Sequence, residues 1–268
     1  MSRVQGRSRR VRQARGARRA VGVLTSLAVL GMWEAVGRSG SVMFLEPFSV
    51  AARGAWDLVS GPGLRQDVLP SATRTVIGFF VGSSLGVAAG LLLGHFRALD
   101  PWVRPVLEFL RAVPLPAVLP VAVLAFGPNS GTRVGLIALG AVWPVLLNTM
   151  DGARTVDAGF VDAARAAHVG RWRVVSRVIW PACLPQVFAG LRIALGISLI
   201  MMVISEMVAS TSGLGFFVLQ AQRAYAFQDM YAGILVLGLL GGLFTLLFTV
   251  VEYHMLAWYE GQKGIGRG

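Results

Sequence analysis

The chain has 268 residues, of which 55% are hydrophobic and only 14% charged, and carries a formal net charge of +12. Soluble domains carry about 25% charged residues, and a soluble core of this length cannot hide so much apolar surface. With a mean hydropathy of +0.65, lipid is the expected solvent, and a water-soluble enzyme or nucleic-acid-binding domain is excluded.

Eight of the 25 cations are Arg3, Arg7, Arg9, Arg10, Arg12, Arg15, Arg18 and Arg19, in a tail without an acid. Residues 1–19 are therefore expected to be a basic cytoplasmic tail without a fold of its own, lying at lipid headgroups rather than on nucleic acid. Residues 20–268 are expected to be one transmembrane domain. The run Ala20 to Val36 has the length of a signal peptide, but Glu34 and Arg38 replace a cleavage site, so an uncleaved first helix is expected.

Five further runs follow in chain order: Val76 to Phe96, Val113 to Gly127, Val134 to Met150, Val187 to Ser210 and Met230 to Val251. About 20 apolar residues span a bilayer core as a helix, so the expected fold is all-α with six transmembrane helices. The second carries Gly78, Gly82, Gly86, Gly90 and Gly94, five glycines at a spacing of four. Such a stripe lies on one helix face and lets a neighbouring backbone approach. The third carries Pro114, Pro116 and Pro120. Prolines free carbonyls and bend helices, and membranes tolerate this beside protein or a water path. Pro116 is therefore a pathway candidate, with plain kinked packing as the other reading.

With the N-terminus inside, nineteen Lys and Arg residues fall on cytoplasmic segments and six outside. That asymmetry predicts cytoplasmic termini in a cell membrane. Two polar residues inside the spans are further pathway candidates. Glu206 is either functional, as intramembrane acids often are, or a helix-end carboxylate held by a hydroxyl such as Ser205 or Ser210. Asn148 is either a solute ligand or a cap or interhelical hydrogen bond. Glu252 and His254 read as the solvated end of the last helix.

The connection 151–186 is long, polar and cytoplasmic by the same charge argument. Its Ala163, Ala164, Ala166 and Ala167 favour helix, and Pro181 and Pro185 redirect the chain into the next span. Asp162-Ala163-Ala164 followed by Ile179-Trp180-Pro181 resembles the EAA loop of ABC importer permeases. Asp162 takes the place of the family glutamate, and Pro181 follows nineteen residues later. The family glycine position holds His168, with Gly170 two residues on as a substitute turn, and Trp180 replaces the usual leucine. Four more stretches resemble the subfamily of nitrate, sulfonate, taurine and bicarbonate permeases. They are Arg111-Ala112-Val113-Pro114, Ala138 to Pro144, Asn148 to Gly152, and Glu206 to Ser210 with Gly213-Leu214-Gly215, and the match runs from about Leu45 to Tyr259.

The resemblance implies a type I ABC importer permease that is not an enzyme. Its loop, through Asp162, Ala163, Ala164, His168, Gly170 and Pro181, would dock as a coupling helix on a cytoplasmic ABC ATPase. An extracytoplasmic solute-binding protein would deliver a small anion-like solute, and two permeases would pair, as a homodimer or with a different permease. ATP would be bound by the partner subunit, so no cofactor is expected here, and the chain contains no Gly-x-x-x-x-Gly-Lys-Ser/Thr loop. No catalytic constellation is visible. With one cysteine, Cys183, and three scattered histidines, no metal site is expected either. A membrane-embedded enzyme would need clustered carboxylates or histidines, and an ion-coupled transporter would show inverted repeats with broken helices.

Overall fold

The computed structural model describes residues 2–96, 100–156, 159 and 166–265. Helix α1 (Ser2–Ser39) leads to the short α2 (Phe48–Ser60) and, through a π-helical turn at Leu64–Val68, to α3 (Leu69–His95). Next come α4 (Asp100–Ala112), α5 (Leu115–Phe126) and α6 (Ser130–Arg154). Residues Arg171–Val174 and a second π-helical turn, Val175–Ile179, run into α7 (Trp180–Ala209), followed by α8 (Leu214–Arg223) and α9 (Phe227–Ile265). No strand occurs among the described residues.

Among the described residues, five helical segments are long and apolar enough to cross a membrane: 21–39, 64–95, 130–154, 180–209 and 227–257. The remaining expected span, Val113–Gly127, supplies only α5. That helix is long and apolar enough to cross only together with α4, which lies before the expected run, and the two are bent by 85° at the Val113–Pro114 break. The cause is local. Pro114, with ψ of 113°, caps α5 and cannot continue α4, and a residue preceding proline is pushed out of the α region.

α1 runs back through the arginine tail to Ser2, where the sequence alone suggests no regular structure. Arginine is among the better helix formers, so the tail can prolong the helix set by the apolar run. The other end of α1 is fastened to α2. Glu34 accepts from the Ser49 backbone N–H and hydroxyl, both at 2.8 Å, and the Trp33 indole donates to the Glu46 carbonyl at 3.0 Å.

The core is built on α6, which lies between α3 and α7. All five glycines of α3 face α6. A Cβ at Gly82 would sit 2.2 Å from the Ala138 carbonyl oxygen, and one at Gly86 would sit 2.8 Å from that of Val142. At Gly78, Gly90 and Gly94 it would meet Ile137, Thr149 and Ala153 side chains at 2.6–2.7 Å. On the other face of α6, Gly190 of α7 leaves 2.9 Å to the Pro144 carbonyl and to Asn148 Cβ. Ile137, Ala141, Val145 and Met150 are buried between the two neighbours.

The short helices were not legible as spans. α2 is amphipathic and buries Ala51, Gly54, Ala55 and Leu58, with Gly54 set against Ala232 of α9. α8 packs Val218 and Phe217 over Gly233 of α9. Beyond Leu240, Phe244 and Phe248 still pack inward, while Leu243, Leu246, Leu247 and Val250 are exposed. An apolar groove of about 1150 Å³ opens there between α3, α7 and α9, lined by Phe79, Phe80, Phe188, Leu195, Leu247 and Phe248 among others.

Alanine at Gly82 should act through overpacking. It would press on backbone rather than on a flexible side chain, and such clashes cost about 1–3 kcal/mol. Gly238, with nothing within 4 Å of an added Cβ, is the matched control. Gly82→Ala is expected to lower the thermal midpoint of the detergent-solubilised protein clearly, and Gly238→Ala to leave it unchanged or raise it. Equal midpoints for the two variants would show that the α3–α6 contact does not need the glycine.

Candidate functional site

Two polar regions stand out in an otherwise apolar molecule, one at each end of the α3–α6–α7 core. The first surrounds Glu206, on the last turn of α7, whose exposure is 0%. Its Oε1 lies 2.7 Å from a terminal nitrogen of Arg74 of α3. Its Oε2 accepts from the Ser71 hydroxyl at 2.7 Å and the Gly215 backbone N–H at 3.1 Å. Arg74 spends its remaining donors on the Ser130 hydroxyl, the Ser212 hydroxyl and the Ser212 carbonyl at 2.9–3.0 Å. Ser71 in turn accepts from the Leu214 N–H, and Asp67 from that of Gly213.

Every partner is placed by a helix end. Asp67 comes from the π-helical turn before α3, Ser71 and Arg74 from the first turns of α3, Ser130 from the start of α6, and residues 212–215 from the α7–α8 connection. The network therefore ties α3, α6, α7 and α8 into one clasp around a buried carboxylate. Gly213 is required by both backbone and space. Its φ is +115°, and a Cβ there would lie 2.4 Å from the Glu206 carboxylate. At Gly215 it would lie 2.6 Å from the Val203 carbonyl. Arg133 of α6, also buried, donates to the Ala209 carbonyl at 2.5 Å, while its Nε has no partner.

The hydroxyls named from the sequence are not the ones used. Ser205 donates to the Met202 carbonyl and Ser210 to that of Ser212. The partners Arg74 and Ser71 lie more than 130 positions away, and an arginine near a span's end reads in sequence as one more flanking cation. The signal that could have found it is that Arg74 lies inside the apolar register of α3, four positions before Gly78. Asn148 of α6 is half-buried and donates to the Pro144 carbonyl of its own helix at 2.8 Å. Pro116 is exposed in the first turn of α5. Glu252 is not merely solvated but pairs with Arg192 of α7.

The second region is the connection from α6 to α7. Asp162, Ala163 and Ala164 lie outside the described residues. His168 is exposed and adopts φ of +54°, so the left-handed turn falls on the histidine itself. Gly170, expected to supply that turn, is exposed but does not take a positive φ. Such a conformation in a non-glycine residue costs about 1–3 kcal/mol. Pro181 sits in the first turn of α7, where its missing N–H has no helical partner to lose. The base of the connection is anchored: Val174 and Ile179 are buried with Ala153 of α6, against Leu91 of α3. Among the described residues no group of three His, Cys, Asp or Glu side chains gathers in metal-binding geometry.

Removing one partner of a buried ion pair leaves the other charge uncompensated, at about 3–5 kcal/mol. Glu206→Ala should therefore reduce folded yield and thermal midpoint sharply. Replacing both partners, Arg74→Met with Glu206→Leu, should cost less than the single change. A Glu206→Ala protein as stable as the wild type would contradict the clasp.

Known proteins place this arrangement. Residues 82–259 match the family described as the binding-protein-dependent transport system inner membrane component. The putative aliphatic sulfonates transport permease protein SsuC of Bacillus subtilis is 31% identical over 91% of this chain and 89% of its own. The bicarbonate transport system permease protein CmpB of Synechococcus elongatus is 30% identical over 82% and 84% of the two chains. The nitrate import permease protein NrtB of Leptolyngbya laminosa is 30% identical over 85% and 84%. Among solved structures, a chain of the inward-facing MetNI methionine ABC transporter superposes with a TM-score of 0.61 at 19% identity, covering 75% of this chain and 96% of that one. The fold is thus shared with an ABC importer, and the chain belongs to the binding-protein-dependent transport system inner membrane component family.

Proposed function

We propose that this permease forms the translocation path for a small organic or inorganic anion, delivered outside by a solute-binding protein and driven by a cytoplasmic ABC ATPase. The observation that carries the solute class is a set of relatives: three that are similar along most of the chain are named for aliphatic sulfonates, bicarbonate and nitrate. All three solutes are anions. The chain's own role is transport rather than catalysis, and ATP hydrolysis belongs to a separate subunit.

The clasp end faces outside and the α6–α7 connection faces the cytoplasm, with both termini inside. The Lys and Arg asymmetry supports this orientation, as does an even number of crossings once α4 and α5 share one. Two copies pair around the path. The ATPase docks on residues 157–181, through Asp162, Ala163, Ala164, His168 and Gly170. Because Val174 and Ile179 are packed onto α6 and α3, a push on this connection reaches the core as a rigid-body displacement rather than being lost in a soft loop. ATP binding would prefer one of two arrangements of the paired permeases, and the path would change sides with that preference.

Tagged protein purified from its native membranes in mild detergent should carry a soluble ATPase. Asp162→Arg combined with Gly170→Asp should abolish that recovery while leaving the permease folded. Unchanged recovery would remove residues 162–170 from the docking contact. Recovery of the permease alone from the wild type, even after crosslinking, would overturn the importer assembly.

A further inference from the structure

Two arginines are buried among the described residues, Arg74 and Arg133, at 7% and 6% exposure. Their guanidinium groups are served very differently. Arg74 pairs with Glu206 and reaches three further oxygens, on Ser130 and Ser212. Arg133, in the first turn of α6, has one acceptor, the Ala209 carbonyl on Nη1. Its Nε is enclosed and has no partner. Its Nη2 has no partner either, but it is not enclosed. Among the described residues, no carboxylate stands within ion-pair distance of Arg133.

The charges around Arg133 do not balance its own. The neighbouring Arg74–Glu206 pair is neutral as a unit. α6 begins at Ser130 and α7 ends at Ala209, and two such helix ends bring about half a charge each, of opposite sign. They cancel as well. Asp67, the other acid of this corner, is only half-buried and accepts from the Gly213 N–H. A whole positive charge is left on Arg133. A buried cation is costly unless it is paired, and a buried donor without a partner marks the place of a water or an ion. Water can accept one N–H but supplies no charge.

The two free donors are adjacent. Nε–H and the near N–H of Nη2 run parallel along one edge of the planar guanidinium, a spacing that matches two oxygens of one oxyanion. Nη1, on the far side, stays with Ala209. We infer that the Nε–Nη2 edge of Arg133 is a fork that binds one small oxyanion, of the class of nitrate or an alkyl sulfonate, entering from the Nη2 side. The fork itself is read from Arg133; the choice of oxyanion rests on the permease reading. The site lies within one protomer, between the start of α6 and the end of α7, and needs no second copy. An anion seated there neutralises the charge held between the two helix ends and tightens their junction.

Sodium nitrate and sodium methanesulfonate are titrated by calorimetry into the purified full-length protein, in non-ionic detergent at constant ionic strength, with sodium chloride for comparison. The wild type is expected to bind one nitrate per chain, more tightly than chloride. Arg133→Lys keeps the charge and a donor for Ala209 but has no fork. It should weaken nitrate binding at least about tenfold, as the loss of one charge-assisted hydrogen bond does. Arg223→Lys, at an exposed position of α8, should leave it unchanged. Arg133→Gln, which also lacks the fork, decides the matter if the lysine variant does not fold, and thermal midpoints of all variants are recorded alongside. No nitrate binding to the wild type would overturn the proposal. So would equal affinity for chloride and nitrate. Nitrate affinity unchanged in the Arg133 variants would mean an adventitious ion only, and would overturn it too. A protein that recovers its ATPase but binds no nitrate refutes the fork alone; one that binds nitrate through Arg133 but recovers no ATPase refutes the importer assembly alone.

Discussion

The contact between α3 and α6 organises everything else. Five glycines at a spacing of four remove every Cβ from one face of α3 and bring two backbones together along most of the membrane's thickness. Between helices in lipid there is little hydrophobic gain to be had, so packing of this closeness is the main attraction available. Once α3 lies on α6, the opposite face of α6 is left for α7, where Gly140 and Gly190 repeat the device more sparingly. The helices outside this trio are held less. α9 keeps only a narrow stripe of contacts past Leu240, through Phe244, Phe248 and the Glu252–Arg192 pair, and α1 touches the rest chiefly through the turn around Glu34 and Trp33.

A stiff trio needs its ends defined, and the two ends are defined by different chemistry. One end is locked electrostatically: Glu206, itself fully buried, collects a guanidinium, a hydroxyl and a backbone N–H. The other end is locked by apolar packing under a polar connection, with Val174 and Ile179 seated on Ala153 and Leu91. Packed cores of this kind are bistable rather than elastic. Force applied at the connection is therefore expected to tilt the trio as one body, with the bend between α4 and α5 and the lightly held α9 taking up the difference.

Much of this was legible in the sequence, and the limits have physical causes. Regular helices announce themselves by apolar length, so the hydrophobic runs locate the candidate crossing helices, although the second starts twelve residues earlier than its run and the third run is only the latter half of a bent pair. A register of four marks a face whatever packs on it, so the glycines of α3 could be read without a partner. The bend at Val113–Pro114 was hidden because prolines at 114, 116 and 120 fit a kinked helix as well as a broken one, and hydropathy does not register angles. Arg74 was hidden because a charge pair formed across more than 130 positions has no local signature. α2 and α8 escaped notice because they are too short to span and reveal their buried faces only against α9 and, for α8, α7. At His168, the family pattern asks for glycine; the turn stays in place on a histidine, which a residue-by-residue comparison could not have foreseen.

The buried pair also has a history written into it. Arg74 and Glu206 are each acceptable only in the presence of the other, and the carboxylate only while position 213 carries no Cβ. A lineage that loses one of the three must pass through a poorly folding intermediate unless a second change arrives first. Substitution here is thus expected to be rare and concerted, with the three positions changing together or not at all. Chimeras that join α3 of one such permease to α7 and α8 of another should fail wherever the two parents solved this corner differently, however similar their apolar spans.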